Sequence, residues 1–359
     1  MPFDGKWSGL RVPLGLAPAS CWHRGCSQTS MNMHSSKAQI ARVRVHAPAR
    51  LHMGFLDLHG GLGRRFGSVG LALDPVCTAL SAEPHGDILV QGNAPERAPR
   101  VAAQMLARLG FSGGIRLHFE SMIPEHAGLG SGTQLALAVG VAISRLYGLD
   151  WDTGRVAHQL DRGARSGIGV GAFDHGGFLL DGGRGESDRP PPLLSRLVFP
   201  GDWRVLLIID RTERGLHGAA ELQAFRDLPE FPADIAAHLC RVALMQLLPA
   251  IQEQDLAAFA KAIWCLQTAV GDHFAQAQQG RFSSPLVAAL LEQAAAEGLP
   301  AGQSSWGPTG FVVLPDAGSA ERYREQLRKQ APDLEFVICQ GRNTGAEVLV
   351  EQTQRLASS

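Results

Sequence analysis

Pro124-Glu-His-Ala-Gly128-Leu-Gly130-Ser131-Gly132-Thr133-Gln134 runs without a break into the apolar stretch Leu135 to Tyr147, which Gly148 ends. Just upstream, Ile115, Leu117 and Phe119 alternate with other residues as they do in a strand. A strand, a glycine-rich turn and a helix are thus consecutive. The first turn of such a helix offers unbonded backbone N–H groups, the positive end of the helix dipole and, here, two hydroxyls. Gly128, Leu129, Gly130, Ser131, Gly132 and Thr133 therefore form a candidate cradle for phosphate or diphosphate. The competing reading is a turn rich in glycine for steric reasons alone. Two further glycine-rich segments, 60–70 and 166–171, weigh against it.

Of 33 basic residues only Lys6, Lys37, Lys261 and Lys329 are lysines, and none lies between 38 and 260. That excludes a Walker A loop, which requires Gly-Lys-Ser/Thr, and leaves arginine to meet any anion. The chain has 359 residues, 45% of them hydrophobic, as expected of a globular protein of one or two domains. A formal charge of −1, with no basic run and no aromatic ladder, sets nucleic-acid binding aside. The 42 glycines exceed the ordinary share and favour a small-molecule enzyme. Six scattered cysteines with no Cys-x-x-Cys pair fit a reducing, cytoplasmic setting. No run approaches the ~20 apolar residues of a membrane span.

Residues 1–38 carry no period and read as an extension outside the fold, with Met31 and Met33 as later candidate starts. A strand is expected over 41–46, broken by Pro48, and a helix over 101–109, closed by Gly110. A helix capped by Asp152 or Thr153, a turn over 166–171, a strand over 177–180 and a loop over 181–192 follow. Beyond them come a nearly continuous apolar strand, 203–209, and helices near 217–226, 233–248, 253–270 and 284–298. Strands at 311–314 and 336–339 flank a helix over 319–329. Strands and helices intermingle without strict alternation, so the fold class is α+β.

Pro124-x-x-x-Gly128-Leu-Gly130-Ser131 resembles the phosphate loop of the GHMP kinase superfamily, and Gly302-Gln-Ser-Ser305-Trp-Gly-Pro-Thr309 resembles its C-terminal glycine-rich motif. Ala47-Pro-Ala-Arg-Leu-His52-x-Gly-Phe-x-Asp57 and Ser166-Gly-Ile-Gly-Val-Gly-Ala-Phe-Asp-His-Gly-Gly177 narrow the likeness. In this order, the four segments resemble the β-ribofuranosylaminobenzene 5'-phosphate synthase family and cover most of residues 41–345. The resemblance implies a two-domain GHMP kinase-like fold, with 39–195 as the N-terminal domain carrying the phosphate loop and 196–359 as the C-terminal domain. It also implies a reaction of phosphoribosyl diphosphate with 4-aminobenzoate or 4-hydroxybenzoate that releases carbon dioxide and diphosphate, early in methanopterin biosynthesis. Mg²⁺ and a homodimer are expected with it.

Small-molecule kinases of the superfamily usually carry a Lys and a Gly-Glu pair in the first motif, where this chain has Arg50-Leu-His52-Met-Gly54-Phe-Leu-Asp57. Gly132 stands where their loop commonly has a second Ser. Both departures weigh against an ATP-dependent kinase, which is the alternative together with a non-catalytic ligand-binding homologue.

Departure of diphosphate makes the sugar carbon oxocarbenium-like, so a polyanion must be stabilised and water kept away. Arg50 and His52, two apart, share a face if the strand continues past Pro48, and the resemblance makes both catalytic candidates. Asp57 is a candidate metal ligand or base, against the plain reading of a turn aspartate bonding its own backbone. Asp174 is preferred for metal and His175 for proton handling or phosphate. Arg165 is a candidate phosphate ligand, although a helix C-terminus also favours arginine. Glu125, Ser166 and Gly167 are candidate substrate contacts, and Gln303, Ser304 and Ser305 a second wall closing over the sugar or diphosphate.

Overall fold

The computed structural model describes residues 40–111, 113–213, 215 and 218–352, and the expected extension over 1–38 lies outside them. The strands are β1 (Ile40–Asp57), β2 (Phe66–His85), β3 (Ile88–Gly92), β4 (Gly114–Ser121), β5 (Phe178–Asp181), β6 (Leu193–Leu197), β7 (Arg204–Ile209), β8 (Ala301–Gln303), β9 (Thr309–Leu314), β10 (Glu335–Gly341) and β11 (Glu347–Gln352). The helices are α1 (Ala98–Leu109), α2 (Ser131–Leu146), α3 (Thr153–Gln159), α4 (Ile168–Asp174), α5 (Gly218–Asp227), α6 (Ala233–Val242), α7 (Leu248–Gln252), α8 (Leu256–Gln278), α9 (Pro285–Ala296) and α10 (Ala317–Gln330). A π-helical segment, Ala243–Leu247, joins α6 to α7.

Pro48 does not end the first strand. It pairs with Cys77 while Ala49 pairs with Leu73, so Asp74, Pro75 and Val76 bulge out of β2 opposite it. A bulge is where a sheet accommodates a missing donor. β1 thereby carries Arg50 and His52 onward as strand residues, opposite Ala72 and Gly70.

β2 is the spine. One edge pairs with β1 along most of its length, and the other pairs in succession with β5, β10 and β4. From there the mixed sheet runs β11-β1-β2-β10-β7-β9-β8, with β3 added through β4 and β6 through β5. The expected division at 195/196 falls inside β6, and β11 returns from the C-terminus to pair with β1, so the sheet is continuous across that point. The glycine-rich stretch 166–171, read as a turn, is a turn only as far as Gly167, the N-cap of α4.

Val43, Val45, Ile115, Leu117 and Phe119 pack with α1 and α2 in one core. α2 is buried on nearly every face, which is why its sequence is apolar all round. β7 is buried on both sides. Val205, Leu207 and Ile209 meet α6 and α8, whereas Leu206 and Ile208 meet α9 and α10. Among the described residues, the run Ala233–Gln252 is the one that length and apolar content alone would allow across a bilayer. Its Ala236, Leu239, Leu247 and Ile251 are core residues.

Candidate active site

Gly130 is the N-cap of α2 at φ 83°, and Gly128 sits at φ 79°, both in the left-handed region that glycine enters without strain. Arg50 on β1 fixes this loop from beneath. Its backbone N–H donates to the Leu129 carbonyl at 3.1 Å and its Nη1 to the Gly128 carbonyl at 2.6 Å. With those carbonyls turned to Arg50, the first turn of α2 faces an open cavity of about 590 Å³. Leu129 contributes backbone only, because its side chain is buried in the core. Thr133 N–H closes the turn onto the Gly130 carbonyl at 3.1 Å.

Arg50, Arg97, Arg100, Arg162 and Arg165 all line this cavity, with Glu96, Glu125 and Glu221 as its carboxylates. Arg97 Nη2 reaches both Ser131 Oγ, at 3.1 Å, and Glu125, at 2.9 Å. Arg165 Nη2 holds Glu221 at 2.7 Å, and its guanidinium lies over the Phe225 ring. Nε of Arg50, Arg97 and Arg162 and Nη1 of Arg165 are buried without a hydrogen-bond partner. Burial lowers the Arg50 guanidinium to about 10, against the pull of Glu221, so it is still cationic at neutral pH. Burial, then Arg97 and Arg100, lower that of Arg162. Gathered cations with unfilled donors await a polyanion.

Gly132 stands where a hypothetical Cβ would lie 3.2 Å from Arg97 Nη1 and 3.8 Å from Arg162 Nη1. The absent side chain thus leaves room for the Arg97 guanidinium, whereas Arg162 lies at ordinary contact distance.

Of the expected second wall only Ser305 lines the cavity, whereas Ser304 is buried behind it. Ser304 Oγ donates to the Gly128 carbonyl at 2.9 Å and accepts from His52 N–H at 3.1 Å. Ser305 N–H donates to the His52 carbonyl at 3.0 Å, and the residue lines the cavity. Gln303 serves as scaffold instead. Its Oε1 accepts from Ser283 N–H at 2.6 Å and its Nε2 donates to the Ser305 carbonyl at 2.9 Å. His52 shares the strand face with Arg50 but not its cavity, as it lines a smaller chamber beside it. Burial, then Arg50 and Arg165, lower its imidazole to about 3, so it is neutral.

The remaining expected residues lie elsewhere. Asp57 ends β1 and accepts from Gly60 N–H at 2.8 Å, a turn aspartate beside Leu62, Arg65 and Phe66. Asp174 and His175 close α4 and line a separate cavity with Asp152, Arg155 and His158, sharing no wall residue with the cradle. Ser166 and Gly167 are tied to Asp181, whose Oδ2 accepts from Ser166 Oγ at 3.1 Å, Gly167 N–H at 2.8 Å and Ser68 Oγ at 2.5 Å. Ser166 and Gly167 thus shape the α4 turn and do not reach the cradle.

Asp57 and Asp174 therefore do not fit a metal at the cradle. Among the described residues no three His, Cys, Asp or Glu side chains gather as a metal cluster. The oxygens beside Arg97, from Glu125 and Ser131, fit a Mg²⁺ that arrives with phosphate oxygens.

Sequence reading missed Arg97, Arg100, Arg162 and Glu221. One signal was present: Arg97 and Arg100 stand at the N-terminus of α1, where the dipole disfavours cations, with no acid in the first turn.

Residues 96–182 match the GHMP kinases N terminal domain and residues 247–333 the GHMP kinases C terminal domain. The chain is 34% identical over 324 residues to a beta-ribofuranosylphenol 5'-phosphate synthase of Archaeoglobus fulgidus, covering 86% of this chain and all of that one. It is 30% identical to the protein of the same name from Methanocaldococcus jannaschii, over 85% and 99% of the two chains. In fold it is similar to a homoserine kinase from Cytophaga hutchinsonii, with a TM-score of 0.61 at 16% identity over 90% and 100% of the two chains.

Proposed function

The chain belongs to the beta-ribofuranosylphenol 5'-phosphate synthase family of GHMP kinase-like proteins, and from that premise we infer that it is a decarboxylating phosphoribosyltransferase. It joins phosphoribosyl diphosphate to a para-substituted benzoate, with loss of carbon dioxide and diphosphate. The relatives' name favours 4-hydroxybenzoate over 4-aminobenzoate. The observation that carries the reading is the set of five arginines around the first turn of α2.

Diphosphate is the leaving group, and its charge grows as the bond to the sugar carbon breaks. Fixed N–H groups and guanidinium ions oppose that charge at no cost of reorganisation. Arg97 and Arg162, from the far wall, and Arg50, from beneath, hold the departing anion away from the cation it leaves. Magnesium carried on the diphosphate would be held by Glu125 and Ser131 and would neutralise part of that charge. The aromatic carbon bearing the carboxylate is para to the hydroxyl, hence electron-rich, and attacks the sugar carbon. Loss of carbon dioxide then restores the ring without removal of a proton from that carbon.

The family resemblance supports a place in methanopterin biosynthesis, a cytoplasmic location and a homodimer. The test is to incubate the protein with phosphoribosyl diphosphate, Mg²⁺ and each carboxyl-labelled acid, following labelled carbon dioxide and diphosphate together. Equal release of both is expected with one acid at least. No release, with ATP consumed when alcohols are offered, would return the protein to the kinases.

A further inference from the structure

The arginine cavity has a neighbour. Ser305 and Trp306 line both it and a chamber whose other walls include His52, Phe55, Gln267 and Phe274. Rings form much of its lining, from His52, Phe55, Phe274, Phe282 and Trp306. His52 lies 4.5 Å from Phe55, centroid to centroid, and Trp306 stacks on Phe274 at 4.2 Å and 33°. Phe225 of α5 packs edge-on against Trp306 at 5.4 Å, behind the chamber's lining.

The chamber also holds polar atoms that no described residue satisfies. His52 and Trp306 are each 3% exposed, yet both imidazole nitrogens and the indole Nε1 lack a hydrogen-bond partner. Such atoms cost stability and persist where something from outside completes them. An aromatic-lined chamber with a neutral hydrogen-bonding group inside, beside an anion cradle, matches the chemistry of an aromatic ring with one polar substituent.

We propose that this chamber seats the aromatic acid, its ring against Trp306 and Phe274 and its para substituent on the imidazole of His52. The assignment rests on the synthase reading and goes further by placing the acceptor and the residue that selects it. The present volume, about 30 Å³, takes little more than water, so entry of the ring parts the Trp306–Phe274 stack. Phe225 shares α5 with Glu221, the residue now occupying Arg165, so an anion that takes Arg165 also loosens the helix packed on Trp306.

The chemistry balances on His52. As the ring carbon bonds to the sugar carbon and the C–O bond to diphosphate breaks, the hydroxyl proton passes to the imidazole. When the C–C bond to carbon dioxide breaks, its electron pair returns to the ring and the oxygen recovers that proton. A polyanion in the cradle offsets Arg50 and Arg165, two of the groups that suppress the basicity of His52.

The experiment compares 4-hydroxybenzoate with plain benzoate by titration calorimetry, with magnesium diphosphate present so that nothing turns over. His52→Gln is expected to weaken 4-hydroxybenzoate by about tenfold and benzoate by less than about twofold, the loss of one hydrogen bond. Trp306→Leu is expected to weaken both acids by similar factors. Equal loss of both acids in His52→Gln, or no loss of either in Trp306→Leu, would overturn the assignment. If the wild type still releases carbon dioxide and diphosphate, the synthase reading survives that result. A wild type that binds neither acid overturns both.

Discussion

Arg50 and His52 stand two apart on the same strand, yet burial sets them to different work. The guanidinium stays charged at neutral pH even when pulled down to about 10, whereas the imidazole at about 3 does not. The consequence for stability has a definite sign. Between the ordinary value of 6.5 and about 3, the unfolded chain takes up a proton on His52 that the folded chain refuses. Stability from this residue is full above pH 6.5 and falls as the pH drops below it, by at most about 1.4 kcal/mol per pH unit. His52→Gln should flatten that part of the profile in urea denaturation at pH 7 and pH 5; an unchanged slope would refute it. Arg97 bridges Ser131 and Glu125 at the cradle mouth. Arg97→Met should weaken phosphoribosyl diphosphate binding about tenfold and reduce its salt dependence, measured by titration at two ionic strengths. Arg50 and Arg165, which both line the cavity, were legible as candidates because glycine-rich motifs mark their segments. Arg162 was not, since only folding brings it beside Arg97.

At the scale of the element, the start of α2 was readable because a helix terminus is a local object: glycines, hydroxyls and the following apolar run are contiguous. Its chemistry also depends on the space above Gly132. Gly132→Ser should crowd Arg97 and weaken diphosphate binding with little change in thermal midpoint, testable by calorimetry and a melt on one sample. The glycines of 166–171 misled for a physical reason. A glycine signals a turn or a close approach, and Gly169 serves the second, because a Cβ there would lie 2.8 Å from the Thr133 methyl. α4 can press on α2 only without that atom. Its entry turn hangs on Asp181, where Oδ2 accepts from Ser68, Ser166 and Gly167 and Oδ1 from Gly183. Asp181→Asn would set an N–H₂ against these donors at a cost of about 1–3 kcal/mol, read from denaturation midpoints.

For the whole molecule, β1 is held between β2 and β11, the two ends of the described chain meeting through Val43 opposite Val350 and Val45 opposite Val348. Arg342 braces the turn into β11 through Asp74 at 3.1 Å and Glu347 at 2.8 Å. Ending the chain at Ala346 should bare the β1 edge, lower the thermal midpoint and promote association, seen by scanning calorimetry and light scattering. None of this pairing was legible, since β2 begins within a glycine-rich stretch and β11 carries weak alternation. By itself the sequence determined the strand, turn and helix of the cradle, the helices of the second half and, through four ordered motifs, the family, because each lies within a few neighbouring residues. Tertiary structure alone decided which charged residues share a cavity. It brought Arg97, Arg162 and Glu221 to the cradle and took Asp57, Asp174 and His175 away from it, because proximity between distant segments is set by sheet register and core packing.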